Sequence, residues 1–143
     1  FQGTLVTLDS ITFSPSCFPV IYRLTFNGPA ALFAMDGTPF GVTFNNLIME
    51  VDDTADPTLL ELNGDMDSTC FGGTATLATS PSLSVPTGDI CPAGGVVAVT
   101  LTSGEARLSY QPDGSVEIDH NGDGTPDQVL PNFLDPRLFM CTS

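Results

Sequence analysis

The residues Asp119-His120-Asn121-Gly122-Asp123-Gly124-Thr125-Pro126-Asp127 follow the pattern D-x-N-x-D-G-x-x-D. Oxygen-bearing side chains at positions 1, 3, 5 and 9 of a tight loop, a glycine at 6 and a backbone carbonyl at 7 are the donors that a hard cation of calcium size takes. Two short β-like runs, Val116-Glu117-Ile118 and Gln128-Val129-Leu130, flank the loop and predict a calcium-bound β-hairpin. Position 12 is Leu130 instead of a bidentate glutamate, so a helix–loop–helix reading fails. The alternative is a metal-free turn, because Asn, Asp and Gly tolerate left-handed backbone.

This loop resembles the nine-residue calcium loops of thrombospondin type 3 repeats and of integrin-type β-propellers, over these nine residues only. The resemblance implies side-chain oxygens from Asp119, Asn121, Asp123 and Asp127, the main-chain carbonyl of Thr125, and Ca2+ as the cofactor. It departs from those proteins in that one loop stands alone where they use several. More diffusely, the stretch from Asp36-Gly37-Thr38-Pro39-Phe40 through Cys70-Phe71-Gly72-Gly73 to the loop is similar in style to small secreted β domains of bacteria. That second likeness implies no activity.

Acidic residues gather elsewhere too. Glu50, Asp52, Asp53, Asp56, Glu61, Asp65 and Asp67 put seven carboxylates into 18 positions. Within them Asn63-Gly64-Asp65-Met66-Asp67 alternates oxygen donors in what reads as a turn, a place for a second, weaker cation. The competing reading is a solvated edge whose repulsion keeps strands from pairing wrongly.

Catalysis finds little support. His120 is the only histidine, and it occupies the variable second position of the loop, where a ligand loop points a side chain outward, away from any nucleophilic centre. Glu50 and Glu61 offer a carboxylate pair, but glycoside hydrolysis also needs a substrate groove. The chain has no Trp and only Tyr22 and Tyr110 as tyrosines, while its 10 phenylalanines in alternating runs read as core. No phosphate- or dinucleotide-binding glycine motif and no haem-attachment motif occur.

Arg23, Arg107 and Arg137 are the only basic residues against 17 acidic ones, a net charge of −14 over 143 residues. Such a chain does not hold nucleic acid or an anionic bilayer through its own charge. No apolar run approaches 18 residues and no basic region followed by an apolar one opens the chain, so neither membrane insertion nor a retained signal peptide is expected. Phe1-Gln2-Gly3 match both the end of a protease-cleavable linker and a mature N-terminus, and carry no functional weight. Cys17, Cys70, Cys91 and Cys141 lie far apart with no CxxC pair, which speaks against a zinc ribbon and for two disulfides in an oxidising, extracellular or cell-surface setting. Of three connectivities, Cys70 with Cys91 and Cys17 with Cys141 are favoured: the first closes a local excursion and the second ties the chain ends. On loop entropy these contribute about 3 and about 5 kcal/mol.

The elements that must position these residues read as strands. Apolar and polar residues alternate in short runs bounded by Gly, Pro, Asn and Asp, with no sustained 3.6-residue period. Thr4 to Phe13 is β-like. Val20, Tyr22, Leu24 and Phe26 share a strand face that stops at Asn27-Gly28-Pro29, and Ala31 to Met35 is a second short strand before the turn Asp36-Gly37-Thr38-Pro39. From Gly41, Val42 and Phe44 point inward; at Asn45-Asn46 the phase switches to Leu47, Met49 and Val51, as a β-bulge would make it. Thr58 to Leu62, Thr74 to Thr79, Leu83 to Val85 and Val96 to Thr102 follow, and Ala106 to Tyr110 and Ser115 to Asp119 flank the hairpin turn Gln111-Pro112-Asp113-Gly114. Pro131 to Cys141 reads as a covering segment. About nine or ten strands at this spacing predict one all-β domain over residues 1–143, an antiparallel β-sandwich or closed barrel.

Two non-enzymatic functions fit. One is a structural or self-associating surface protein, a fibre subunit assembled by β-strand addition and stabilised by calcium. The other is a calcium-dependent module that binds a glycan or a protein.

Overall fold

The computed structural model describes residues 5–13, 19–33, 39–68, 72–132 and 135. Among them the chain forms ten strands and no helix: β1 (Leu5–Phe13), β2 (Pro19–Phe33), β3 (Pro39–Asp52), β4 (Thr58–Ser68), β5 (Gly73–Thr79), β6 (Leu83–Val85), β7 (Val96–Leu101), β8 (Gly104–Tyr110), β9 (Val116–Asp119) and β10 (Gln128–Leu130). They make one antiparallel sheet in the order β1-β2-β3-β4-β5-β7-β8-β9-β10, with β6 paired to β4. The sheet does not close into a barrel, which removes that half of the expected architecture. Buried Ala30, Val42, Phe44 and Leu47 from β2 and β3 cluster with Leu77, Leu83 and Val97 from β5, β6 and β7. The sheet therefore folds its apolar faces toward each other, in the manner of a sandwich.

The crease that permits this runs across three strands. In β3, Asn45 and Asn46 bulge, with a register shift between Asn45 and Ile48 and Asn46 at φ 53°. The phase of burial changes there as the alternation demands, from Val42 and Phe44 to Leu47 and Val51. The neighbouring β2 shifts register between Phe26 and Gly28, and the Asn27 carboxamide oxygen accepts the Asn46 N–H at 2.9 Å. Asn27-Gly28-Pro29 therefore does not end a strand: β2 runs through it as one element of 15 residues, because a side chain supplies the partner that the bulged backbone lacks. The third strand contributes Gly64, whose backbone lies against the bulge.

β4 serves two partners on one edge: Gly64 to Ser68 pair with β5, and Thr58 to Leu60 pair with β6. Where β5 departs, Thr79 bridges the gap. Its hydroxyl accepts the Leu62 N–H and donates to the Leu62 carbonyl, both at 2.9 Å, and its own N–H donates to the Asn63 side-chain oxygen at 3.1 Å. Asn63 to Asp67 is thus strand, not the turn that the alternation of oxygen donors suggested. The hairpin at Gln111 to Gly114 forms as expected, with Gly114 N–H donating to the Gln111 carbonyl at 2.9 Å and β8 paired to β9 beyond it. Cys17, Cys70 and Cys141 lie outside the described residues, as does most of the segment Pro131 to Cys141; Cys91, half-buried, forms no disulfide among the described residues.

Candidate metal loop and the adjoining cleft

β9 and β10 are the two legs of a hairpin, Ile118 in register with Gln128, and the Asp127 N–H closes it by donating to the Ile118 carbonyl at 2.8 Å. The loop between them is organised from within by its own carboxylates. Asp119, at the end of β9, is only 6% exposed. Its Oδ1 accepts N–H groups from Asn121 (3.2 Å), Gly122 (2.7 Å) and Asp123 (3.3 Å), and its Oδ2 accepts that of Gly124 at 2.7 Å. Two further turns of the same kind follow: Asn121 Oδ1 accepts the Asp123 N–H at 2.9 Å and Asp123 Oδ1 that of Thr125 at 2.8 Å. Asp127 Oδ2 accepts the His120 N–H at 2.7 Å.

Burial pushes the Asp119 carboxyl up, but the N–H bonds from Gly124, Asn121, Gly122 and Asp123 outweigh it and hold the pKa below the ordinary value of 3.8. A carboxylate whose folded pKa is depressed stabilises the fold above its unfolded pKa, and that contribution is lost as pH falls through the folded value. Urea midpoints measured between about pH 5 and pH 2 are therefore expected to fall for the native chain and to fall less steeply for Asp119→Asn, which is neutral throughout. Parallel slopes for the two proteins would remove Asp119 from the account.

All five loop groups singled out by sequence are oxygen donors on one hairpin loop: Asp119 lies at its centre, the Asn121 amide donates to Asp123 Oδ2 at 3.1 Å, and Asp127 faces His120. Among the described residues, no three His, Cys, Asp or Glu side chains converge on one point. The donor chemistry nonetheless fits a hard divalent cation, since Asp119 is already ionised and fixed, and Asp119 Oδ2 has a single N–H partner.

The second acidic stretch does not gather into a site. Asp65 Oδ1 accepts the Thr76 hydroxyl at 2.6 Å, and Asp67 accepts the Thr74 hydroxyl and, at 3.0 Å, the Asn45 amide. These are cross-strand pairs that hold the outer face of β3, β4 and β5. Glu50 and Glu61 are direct register partners on β3 and β4; Arg23 approaches Glu50 at 3.8 Å, and Ser82 donates to Glu61 at 2.7 Å.

Beside the loop lies a cleft of about 450 Å³ not anticipated from the sequence, lined on the sheet side by Val96, Ala98, Arg107, Ser109 and Glu117 and on the loop side by Gly124 and Pro126. The signal was present in the polar alternation of Arg107, Ser109, Glu117 and Asp119 along two paired strands. Fold and site together define an all-β domain with one oxygen-rich hairpin loop next to a cleft. No protein family, curated protein or solved structure matches the chain.

Proposed function

We propose that this is a non-enzymatic, extracellular, disulfide-bonded surface protein that associates with copies of itself by strand addition, with calcium at Asp119, Asn121, Asp123, Thr125 and Asp127 stiffening the β9–β10 hairpin. The observation that carries the reading is β1: nine residues long, with Asp9 as its one charged residue, and paired among the described strands to β2 alone. Edges of this length and composition are templates for another strand. The far edge, β10, offers only three residues. Pairing of β1 with β1 of a second copy about a two-fold axis matches equal lengths, whereas head-to-tail growth from β1 to β10 does not. Apolar patches contribute less, because Ile90 and Val129 are the large hydrophobics exposed among the described residues.

β1 pairs with β2 over most of its length, so removing it would expose β2 as a new edge, and substitution on the strand is the cleaner probe. Thr7→Lys with Thr12→Lys places cations on the edge strand, a device that blocks edge pairing. Sedimentation over a range of protein and salt concentrations is expected to give a dimer for the native chain and an association at least about tenfold weaker, roughly 1.4 kcal/mol, for the double variant. Salt is expected to strengthen the native dimer by screening the −14 charge on each copy. A native chain that stays monomeric at every concentration would end this reading.

A further inference from the structure

We propose that the cleft over β7, β8 and β9 binds a neutral, polyhydroxylated ligand, a saccharide by chemical class. The inference rests on side chains at the opposite end of the sheet order from β1 and is independent of strand addition. Two rungs build the floor: Val96, Ser109 and Glu117 are in register across the three strands, and so are Ala98, Arg107 and Asp119. With strands about 4.8 Å apart and alternate residues about 7 Å apart, the six positions form a small grid. The loop closes one side through Gly124 and Pro126, and it sits close over β8, where a Cβ built at Gly122 would lie 3.3 Å from Glu105 Oε1.

Most of the charge in this cleft is already engaged. Arg107 Nε donates to Glu105 at 2.6 Å, Glu117 Oε2 accepts the Gln111 amide at 2.9 Å, and both Asp119 oxygens are held by backbone N–H groups. What remains to meet a ligand is the outer fork of Arg107 as donor, Glu117 Oε1 as acceptor, and the hydroxyls of Ser80 and Ser109, which do both. Between them Val96 and Ala98 leave a small apolar floor. Three carboxylates, Glu105, Glu117 and Asp119, line the cleft against the one guanidinium of Arg107, which disfavours an anion. Each of the three already accepts from a donor, Arg107, the Gln111 amide or the loop N–H groups, which leaves little carboxylate charge uncommitted for a cation. Alternating hydroxyls on a ring with an apolar C–H face match this set, and the volume falls in the range of about 300–1,000 Å³ usual for small-ligand sites.

The test is an amide NMR titration of the full chain in calcium-containing buffer, with neutral hexoses and their soluble oligomers, with glucuronate, and with spermidine as separate probes. The expected result is a set of shifts centred on Val96, Ala98, Arg107, Ser109 and Glu117 with a neutral sugar. Arg107→Met and Ser109→Val are each expected to weaken that binding about tenfold, with the remaining spectrum unchanged. The unchanged spectrum keeps loss of binding distinct from loss of fold. Shifts absent with every neutral sugar, scattered over the surface, or obtained only with glucuronate or only with spermidine would each overturn the assignment. Size measured on the same samples reports strand addition separately.

Discussion

Alanine at Gly64 is expected to destabilise the protein by about 3 kcal/mol or more, a large share of the roughly 5–15 kcal/mol that holds an ordinary domain folded. A Cβ there would lie 2.3 Å from the Asn46 carbonyl oxygen and 2.8 Å from Leu47 Cα, and the residue's φ of +136° is one that side chains resist. Both obstacles are backbone, so no rotamer change relieves them. Moving them would flatten the bulge that Asn27 and Asn46 maintain, and with it the crease that brings Phe44 and Leu47 into the core. Gly41→Ala, also in β3–β4 territory but with nothing within 4 Å of the added carbon, is the control. Thermal melts should separate the two variants by about 10 °C. Coincident melts would mean that the close approach is not what the crease depends on.

Calcium at about a hundred times its dissociation constant is expected to add about 2.7 kcal/mol, because an ion that binds only the folded chain contributes RT ln(1 + [L]/Kd). For a domain of this size that is a rise of about 8 °C in melting temperature. Asp123→Ala should abolish the rise, since it removes one of the three loop carboxylates and the acceptor of the Thr125 N–H. Magnesium should do less, because it demands a tighter octahedron and gives up its water reluctantly. If native chain and variant melt alike in calcium and in chelator, the loop is only a turn held by its own Asx bonds.

Where the sequence carried a local signal, the fold was legible. The phase switch at Asn45-Asn46 announced a bulge because burial alternates with period two, and Gln111-Pro112-Asp113-Gly114 announced a hairpin because its residues suit the turn. The misreadings share a different cause. Asn27-Gly28-Pro29 and Asn63-Gly64-Asp65 contain the residues of turns, yet both lie inside strands. Their partners, Asn46 for Asn27 and Thr79 for Asn63, stand 19 and 16 residues away, and no window of local pattern contains both. The loop at Asp119 was legible as a set of oxygen donors, but not the way its backbone encloses Asp119. The cleft stayed hidden because it depends on β7, β8 and β9 lying side by side, with the loop turned back over them.

The order of the strands bears on how the chain reaches this state. Every ladder except β4–β6 and β5–β7 joins strands that are neighbours in sequence. Short connections cost little closure entropy, and a topology dominated by near neighbours folds faster than the interleaved keys common among all-β proteins. Each new strand finds its template in the one made just before it, so the sheet can lengthen one hairpin at a time as the polypeptide emerges N-terminus first. The one detour, in which β6 returns to β4 while β5 waits for β7, is the step at which such growth must pause. Because Thr79 already occupies the gap on β4, the Leu62 N–H and carbonyl there are paired and offer a stray strand nothing to bond.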